Sequence, residues 1–359
     1  MKMCYVFVPV LGLLVAIAGS THASDYTYTT YEFPGAELTE VDAVSGDTVA
    51  GTYYINGGAP HGFIYNGSAF KTVDFPGGYQ TWLTGISGGT VVGYSFFGAT
   101  NNNAAYRGFA YNGSTFTMLN FPGSYQTYAQ GVSGDTVVGY YLSTNGGNAH
   151  GFIYDGSAYT TLDFPGATST QLLGVSGGTI SGVYHVTADH PFTYDGSTFT
   201  ILVNPAVHND TITGISGDTV VGYYQPGAAI QFGGFVYDGS VTTILDFPGV
   251  WTTKLMGVAG NTVFGSGITY GFDNSGDLVA YGPGFVAQLQ VPGLQVSLTS
   301  SNTVAVSWPY PSTGWTLQQN SDLTTTNWVT STNTVANDGT NNFIIAASSL
   351  DKLFFRLKN

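Results

Sequence analysis

Cysteine is almost absent from this chain of 359 residues, and the single copy, Cys4, lies in an N-terminal segment that we expect to be removed. Without cysteine, the mature chain forms no disulfide, presents no thiolate nucleophile and builds no zinc–thiolate site. Its stability must therefore come from the packing of its secondary structure.

Positive charge is also scarce. The sequence holds 7 Lys and Arg residues against 21 Asp and Glu residues, which gives a formal net charge of −14. Between positions 24 and 293 the basic residues are Lys71, Arg107 and Lys254. A chain of this sign repels phosphate backbones and anionic membrane surfaces, so we expect no nucleic-acid partner.

Long hydrophobic runs are missing except at the N-terminus. There Lys2 precedes an apolar run from Cys4 to Gly19, and Thr21-His22-Ala23 matches the small-x-small pattern of a cleavage site. This pattern predicts a signal peptide over residues 1–23, and hence a secreted, extracellular or cell-surface protein. The alternative is a retained anchor, for which the run is short. After cleavage we expect no stable membrane insertion.

The sequence does contain a block of about 43 residues that is repeated six times. Each copy carries two hairpin signals, because Gly-Asp, Gly-Gly, Asn-Gly and Asp-Gly pairs favour tight turns between strands. The first signal, G-[VI]-S-G-[DG]-T, begins at Gly85, Gly131, Gly174 and Gly214, with variants at Ala43 and Gly257. The second, G-F-x-Y-[DN]-G-S, has its turn at Asn66-Gly67, Asn112-Gly113, Asp155-Gly156, Asp195-Gly196 and Asp238-Gly239, and a degraded sixth copy at Gly271-Phe272-Asp273.

Two hairpins in each repeat predict a four-stranded antiparallel blade, and a period of this length is typical of β-propellers. A third element, F-P-G, occurs seven times when Val203-Asn204-Pro205 and Val291-Pro292-Gly293 are counted as worn copies. The extra copy is the first, Phe33-Pro34-Gly35. We therefore predict an all-β fold, a six-bladed β-propeller over residues 24–293 that is closed by a strand at residues 26–33. The sequence leaves open which strand of each blade lies nearest the axis.

The repeat resembles the HAF repeat of bacterial extracellular proteins, which is named after a His-Ala-Phe core. Here the core stands as His61-Gly62-Phe63 and His150-Gly151-Phe152, with Arg107-Gly108-Phe109 and His190-Pro191-Phe192 as variants. The resemblance covers residues 26–293. It implies secretion and repeat architecture, and it brings no catalytic residues.

After residue 293 the repeat stops. Residues 294–359 contain short apolar segments and the tryptophans Trp308, Trp315 and Trp328, which are enough to seed a small sandwich core. This segment is similar to the small immunoglobulin- or fibronectin-like modules that end many secreted proteins. We predict a C-terminal β-sandwich module, which either assists surface attachment or is a folded terminus.

The predicted topology places both hairpin turns of a blade on one end and the variable loops and post-F-P-G segments on the other. We call the second end the variable-loop face, and variable loops on a fixed scaffold commonly bind ligands. Aromatic rings beside amides and hydroxyls suit a sugar. The predicted glycan-binding residues are therefore Tyr79, Trp82, Asn102, Arg107, Tyr125, Tyr128 and Trp251. The alternative is that Trp82 and Tyr128 pack between blades as core.

Histidine gives a second candidate site. His61, His150 and His190 share one repeat position, which predicts a structural role, whereas other histidines do not recur. Imidazole and carboxylate groups within reach of one another can bind a divalent metal or transfer protons. The predicted metal ligands are His185, Asp189, His208 and Asp210, and the alternative is a solvated polar patch.

Acidic residues offer a weaker candidate. Asp74, Asp163 and Asp246 occupy one repeat position and are predicted to bond turns. Glu37, Glu40 and Asp42 form the one non-repeating acidic cluster near the variable-loop face. Glycoside hydrolysis needs such a pair of carboxylates.

These patterns predict a secreted, non-enzymatic binding or cell-surface module that recognises a glycan or another cell-envelope component. A glycan hydrolase or lyase using Glu37, Glu40 and Asp42 or the His185–Asp210 patch is the first alternative. A structural envelope protein, whose Tyr- and Thr-rich surface mediates packing between copies, is the second. No catalytic residue is assigned, and the oligomeric state is left open.

Overall fold

The computed structural model describes residues 26–98, 105–202, 210–217, 219–225, 231–237, 242–272, 278–289, 293–299, 303–309, 315–321, 327–347 and 353–358. Every regular element within these ranges is a β-strand. The same ranges contain no helix that is long and apolar enough to cross a membrane.

Five blades share one plan, in which four antiparallel strands are hydrogen-bonded in chain order. Blade 1 contains β2 (Leu38–Ser45), β3 (Thr48–Tyr54), β4 (His61–Tyr65) and β5 (Phe70–Thr72). Blade 2 contains β6 (Gln80–Ser87), β7 (Thr90–Phe97), β8 (Ala105–Tyr111) and β9 (Phe116–Leu119). Blade 3 contains β10 (Gln126–Ser133), β11 (Thr136–Leu142), β12 (Ala149–Tyr154) and β13 (Tyr159–Thr161). Blade 4 contains β14 (Ser169–Ser176), β15 (Thr179–His185), β16 (Asp189–Tyr194) and β17 (Phe199–Ile201). Blade 5 contains β18 (Asp210–Ser216), β19 (Thr219–Tyr224), β20 (Gly233–Tyr237) and β21 (Thr242–Leu245).

The sixth blade joins the two ends of the repeat region. Its strands are β22 (Thr252–Ala259), β23 (Thr262–Phe272), β25 (Gly284–Leu289) and β1 (Tyr26–Tyr31), while β24 (Leu278–Tyr281) pairs with the far end of β23. Strand β1 runs antiparallel to β25, with Tyr26 opposite Leu289 and Tyr31 opposite Gly284. The N-terminal strand thus supplies the outer edge of the last blade, and the prediction of a six-bladed β-propeller is confirmed.

The first hairpin turn of each blade depends on glycine. In blade 1, Ser45 pairs with Thr48, and Gly46 between them has a φ of 58°. A two-residue turn with positive φ at its first central position is a type II′ turn, which matches the twist of the strands. The second turn is longer, because β4 ends at Tyr65 and β5 begins at Phe70. There the Asn66 side chain accepts the backbone N–H groups of Ser68 and Ala69 at 3.1 and 2.9 Å.

One phenylalanine on the third strand of each blade is completely buried, and it faces a glycine on the second strand. The six rings are those of Phe63, Phe109, Phe152, Phe192, Phe235 and Phe285. The glycine leaves room for the ring, because a Cβ at Gly51 would lie 2.8 Å from the ring of Phe63. Each blade therefore has the same large apolar group at its centre.

This register corrects one sequence assignment. Phe285, not Phe272, occupies the phenylalanine position of the sixth blade, since Phe285 faces Gly265. The reading of Gly271-Phe272-Asp273 as the sixth G-F-x-Y copy is therefore wrong. The physical reason is an inserted hairpin: Thr269–Phe272 of β23 pairs with β24 before the chain returns to the blade as β25. The worn F-P-G copies at residues 203–205 and 291–293 lie wholly or mostly outside the described residues.

A threonine hydroxyl fixes the chain segment that enters the blade in five of the six blades. The hydroxyl of Thr39 accepts the backbone N–H of Phe33, six residues earlier, at 3.0 Å. The same bond recurs from Phe75 to Thr81 (3.1 Å), Phe121 to Thr127 (3.1 Å), Phe164 to Thr170 (3.0 Å) and Phe247 to Thr253 (2.8 Å). The bond holds the F-P-G turn against the start of the next blade.

The C-terminal segment forms two further sheets. One contains β26 (Gln295–Leu298), β27 (Thr303–Pro309), β31 (Asn341–Ala347) and β30 (Ala336–Asn337), and the other contains β29 (Val329–Thr330), β28 (Thr316–Asn320) and β32 (Phe354–Lys358). Residues of both sheets share one hydrophobic cluster, formed by Val306, Trp308, Leu317, Ile344 and Ala346. Trp308 is buried in that cluster, whereas Trp328 lies under the guanidinium of Arg356 at 4.4 Å from the ring centre.

Candidate functional site

The first strand of every blade lines the propeller axis. A cavity of about 370 Å³ lies there, and equivalent residues of all six first strands line it: Asp42, Thr84, Gln130, Leu173, Thr213 and Met256. A second cavity of about 530 Å³ follows the same strands toward their turn ends, where it is lined by Ser87, Ser133, Ser176 and Ser216. The recurring histidine position, on the third strand, therefore lies away from the axis.

A second ring of axial positions lies two residues earlier in each first strand. Side chains two residues apart point to the same side of a strand. The second ring is therefore one pleat nearer the variable-loop face, and we call it the upper ring. Its members are Glu40, Trp82, Tyr128, Gln171, Thr211 and Lys254.

Aromatic residues form one side of the site. Trp82 pairs across the strands with Tyr94, and the two rings stack with centroids 5.2 Å apart. Tyr128 pairs in the same way with Tyr140 at 4.6 Å. Tyr94 also contacts Tyr128 edge-on at 5.0 Å, and Tyr106 lies 5.2 Å from Tyr128. Five aromatic rings thus join blades 2 and 3 in one cluster.

The positions of Trp82 and Tyr128 agree in part with each of the two sequence-based interpretations, a glycan-binding role and a core role between blades. The rings pack between two blades, as the core interpretation requires. Trp82 and Tyr94 also line the axial cavity, as a binding role requires. Burial raises the pKa of Tyr140 to about 12, and it also raises the pKa values of Tyr94 and Tyr128. These phenols therefore stay neutral, and the Tyr128 hydroxyl donates a hydrogen bond to the Gln126 side chain at 2.7 Å.

Acidic residues of blade 1, next to blade 2, form another side of the cavity. Glu40 and Asp42 both line it, and neither recurs in other blades. Thr52 donates a hydrogen bond to the Asp42 carboxylate at 2.8 Å, and the Tyr54 hydroxyl donates to Glu40 at 3.3 Å. Both residues are half-buried, with their side chains at the cavity wall.

The pKa values of the two carboxyl groups reflect these surroundings. Burial raises the pKa of Asp42 well above its usual range, and the nearby Glu40 raises it further, while the Thr52 hydroxyl opposes the shift. Burial also raises the pKa of Glu40, but the charge of Lys254 acts in the opposite direction. The pair therefore resists ionisation, and Asp42 resists it more strongly. Perturbed acids in a cavity mark a candidate functional site.

Lys254 is the cation of the upper ring. Its ammonium lies 5.3 Å from the ring centre of Tyr223 and 5.2 Å from that of Phe232, which are cation–π distances. Its charge also acts on Glu40. Lys254 is therefore engaged with blade 5 on one side and Glu40 on the other.

The inserted hairpin of blade 6 borders the acidic side of the site. Gly282 donates its backbone N–H to the Glu37 carbonyl at 2.9 Å, and its own carbonyl accepts the N–H of Thr39 at 3.0 Å. The insertion is thereby anchored next to the strand that carries Glu40. Glu37 itself accepts the backbone N–H of Gly57 at 2.9 Å, so it serves a neighbouring turn.

The remaining predicted glycan-binding residues lie around the face rather than at the axis. Tyr79, Tyr125 and Trp251 share one repeat position, and Tyr79 and Trp251 are 67% and 47% exposed. Arg107 donates to the backbone carbonyl of Tyr125 at 3.2 Å. Asn102 lies outside the described residues.

Two of the three recurring histidines, His61 and His150, have the structural role that their repetition predicts. His61 contacts Asp74 through Nδ1 at 2.8 Å, and Asp74 also accepts the backbone N–H of Gly62 at 3.1 Å. The imidazole stacks on Tyr53 at 5.3 Å. The same arrangement recurs in blade 3 with His150, Asp163, Gly151 and Tyr141.

The predicted metal site is described only in part. His185 contacts Asp189 at 2.8 Å, and both side chains are exposed. His208 and the side chain of Asp210 lie outside the described residues. In the described ranges, no group of three or more His, Cys, Asp or Glu residues is placed to hold a metal ion. The metal site therefore stays a prediction.

Sequence reasoning missed several parts of the site. Tyr94 ends a V-V-G-Y run that recurs at residues 137–140 and 220–223, so repetition does not mark it, and no motif includes Lys254 or Tyr54. A usable signal existed, because Glu40, Trp82 and Lys254 are non-recurring residues at one repeat position. That signal needed the knowledge that the first strand faces the axis.

No protein-family model matches the sequence, and no curated protein matches it.

Among solved structures, a mutant of the Aleuria aurantia lectin in complex with Fucalpha1-6GlcNAc is 14% identical, with a TM-score of 0.42 over 72% of this chain and 96% of the lectin. A mutant of AofleA from Arthrobotrys oligospora is 13% identical, with a TM-score of 0.42 over 92% of both chains. The β-propeller domain of the Pyrococcus furiosus Trilobed protease is 8% identical, with a TM-score of 0.39 over 76% of this chain and 90% of that domain. Similarities this weak carry no argument about function.

Proposed function

We propose that the protein is a secreted, non-enzymatic glycan-binding module of the HAF-repeat type that holds a sugar in the upper part of the axial cavity. The observation that carries this proposal is a single cavity with two unlike walls. Trp82 and Tyr94 supply an aromatic wall, and Glu40 and Asp42 supply an acidic one. A sugar presents an apolar ring face to the first wall and hydroxyl donors to the second.

The size and composition of the cavity support a small, polar ligand. About 370 Å³ falls within the range of small-molecule sites, which combine aromatic walls with a few polar groups that set orientation. Gln130 and Thr84 add an amide and a hydroxyl to the lining. The exposed rings of Tyr79 and Trp251 would contact further residues of a longer glycan, such as one in a cell envelope.

The proposal is tested by a glycan array and by isothermal titration with residues 24–359. Wild-type protein should bind one glycan class saturably. Trp82→Leu, which keeps apolar bulk but removes the flat ring, should weaken that binding at least tenfold, about 1.4 kcal/mol. Trp251→Leu should weaken binding to long glycans only.

Tyr154→Leu is the matched control. Tyr154 packs on Tyr159 at 4.6 Å beside the second turn of blade 3, on the opposite end of the propeller. It should leave affinity unchanged. Absence of binding to any glycan by folded wild-type protein would overturn the proposal and favour a structural envelope role.

A second candidate function, a glycan hydrolase or lyase, rests on the raised pKa values of Glu40 and Asp42. Residues two apart on a strand are separated by about 7 Å, a spacing compatible with two cooperating carboxyl groups. Incubation of the bound glycan with wild-type protein, followed by an assay for new reducing or unsaturated ends, tests it. Release of such ends that Glu40→Gln abolishes would establish the enzyme.

Secretion is the remaining element of the proposal, and the signal peptide predicted at residues 1–23 supports it. Expression of the whole chain in a secreting host, with N-terminal sequencing of the exported protein, tests this point. A mature N-terminus at Ser24 is the expected result. Retention of Met1 on the cell-associated protein would contradict it.

A further inference from the structure

The two carboxyl groups of the axial cavity differ in whether a positive charge lies near them. Glu40 has Lys254 as a cation, and the Lys254 ammonium is already occupied by the rings of Tyr223 and Phe232. Within the described residues, the groups that act on the Asp42 carboxyl are a second acid, Glu40, and the hydroxyl of Thr52. The cavity thus has a carboxylate whose charge the surrounding side chains leave unbalanced.

The wall beside Asp42 suits a cation. Trp82 and Tyr94 line the same cavity, and the charge of Asp42 acts on the Tyr94 phenol. The face of an aromatic ring attracts an ammonium group, and it does so more strongly where water is scarce. A carboxylate and a cation form a charge-assisted hydrogen bond. A buried carboxylate is costly without such a partner.

We propose that the ligand of the axial cavity is a sugar with a free, protonated amino group, whose ammonium lies between the Asp42 carboxylate and the rings of Trp82 and Tyr94. This inference rests on the proposed glycan-binding function and narrows its ligand to amino sugars that are not N-acetylated. Acetylation removes the positive charge and adds bulk, so the acetylated sugar leaves Asp42 unpaired.

The inference also gives a pH dependence. Asp42 must be ionised to pair with the amine, and its pKa lies above the usual range because of burial and Glu40. The other titratable groups around it are Glu40 on its own strand, Tyr54 on β3, Tyr94 on β7 and Lys254 on β22. Burial raises the pKa values of Tyr54 and Tyr94, so both phenols stay neutral across the acid range. Affinity for a cation should therefore fall as pH falls, and should begin to do so at a higher pH than for an ordinary aspartate.

The experiment compares three oligosaccharides of equal length by isothermal titration: glucosamine, N-acetylglucosamine and glucose oligomers. Wild-type protein should bind the glucosamine oligomer at least tenfold more tightly than either neutral one. Asp42→Asn keeps the shape and an acceptor for Thr52, and it should reduce that preference to threefold or less.

Asp135→Asn is the matched control. Asp135 is an exposed acid in the first turn of blade 3, at the opposite end of the propeller. This variant changes the net charge by the same amount, so it should keep the full preference. Loss of preference in both variants would mean that only the overall negative charge attracts the amine, and would overturn the inference.

A permanently charged ligand tests the inference on wild-type protein, in case Asp42→Asn fails to fold. An N,N,N-trimethylated glucosamine oligomer keeps its charge at every pH, so its pH profile reports the protein alone. Affinity that is independent of pH would contradict a role for Asp42. Equal wild-type affinity for the charged and neutral oligomers, or binding only to other glycans on the array, would overturn the inference and leave the proposed function intact. Binding to no glycan at all would overturn both.

Discussion

The axial and outer layers of the propeller differ in how faithfully they repeat. In the upper ring, Glu40, Trp82, Tyr128, Gln171, Thr211 and Lys254 are six residues of which no two are alike. Farther out, a buried phenylalanine recurs in all six blades, and five threonines bond the entering F-P-G segment. In a closed ring, equivalent positions have equivalent surroundings, so packing alone would favour one residue type. The variation at the axis therefore indicates a demand other than packing.

The largest expected effect on stability is at a recurring position. Phe152→Ala removes a fully buried ring that faces Gly139. We expect it to lower the free energy of unfolding by about 3–5 kcal/mol, since it removes apolar contact and leaves a cavity. Chemical denaturation measures the change.

Sugar affinity at a temperature where Phe152→Ala remains folded should match that of wild type. A loss of affinity in the folded variant would show that the outer layer shapes the site. The division between a repeating scaffold and a varied axis would then fail.

Substitution of Asp42 at the axis is expected to have a smaller effect, and to increase stability instead of lowering it. The pKa of Asp42 is raised in the folded state, so the folded protein binds more protons than the unfolded chain between the two pKa values. Stability from this group is therefore lost as pH rises through that window. Asp42→Asn removes the loss, and we expect it to raise the melting temperature by about 2–4 °C at pH 8.

The control for this prediction is the melting temperature of Asp42→Asn and of wild type at low pH. At pH 3, below the unfolded-state pKa of about 3.9, Asp42 is protonated in both states and the two proteins should melt together. A melting difference that is the same at pH 3 and pH 8 would mean that the substitution acts through packing and not through charge. A residue that costs stability at neutral pH is expected where function, rather than folding, selects it.

The sequence was sufficient for the architecture because turn chemistry repeats. Gly-Asp and Asn-Gly pairs mark both hairpins of a blade, and the surplus Phe33-Pro34-Gly35 indicates an N-terminal strand before the first blade. The structure pairs Tyr26–Tyr31 with the last blade. The sixth phenylalanine was misassigned because the inserted hairpin carries its own Gly-Phe, nearer to the expected spacing than Gly284-Phe285. Local pattern cannot separate an insertion from a worn copy.

The site was less accessible to sequence reasoning. Trp82 and Tyr128 were selected as rings next to a variable segment, and both lie in the aromatic cluster. Alternation within a strand shows which residues share a side, but not which strand of a blade faces the axis. Alternation alone therefore does not place Glu40 and Asp42 at the cavity that they line. The contact between Trp82 and Tyr94 depends on strand register, which also lies beyond a single repeat pattern.

The smallest effect is expected at the recurring histidines. His150 contacts Asp163 at 2.8 Å, but their side chains are 38% and 39% exposed. Exposed ion pairs contribute about 0–1 kcal/mol, so His150→Gln should change the free energy of unfolding by no more than that.

Asp163→Ala should cost about 1–2 kcal/mol, because it also removes the acceptor for the backbone N–H of Gly151, 3.0 Å away. Chemical denaturation of the two variants measures this order, and neither should alter sugar affinity. If His150→Gln weakened binding while stability stayed the same, a recurring outer residue would belong to the site, and repetition would no longer separate scaffold from function in this propeller.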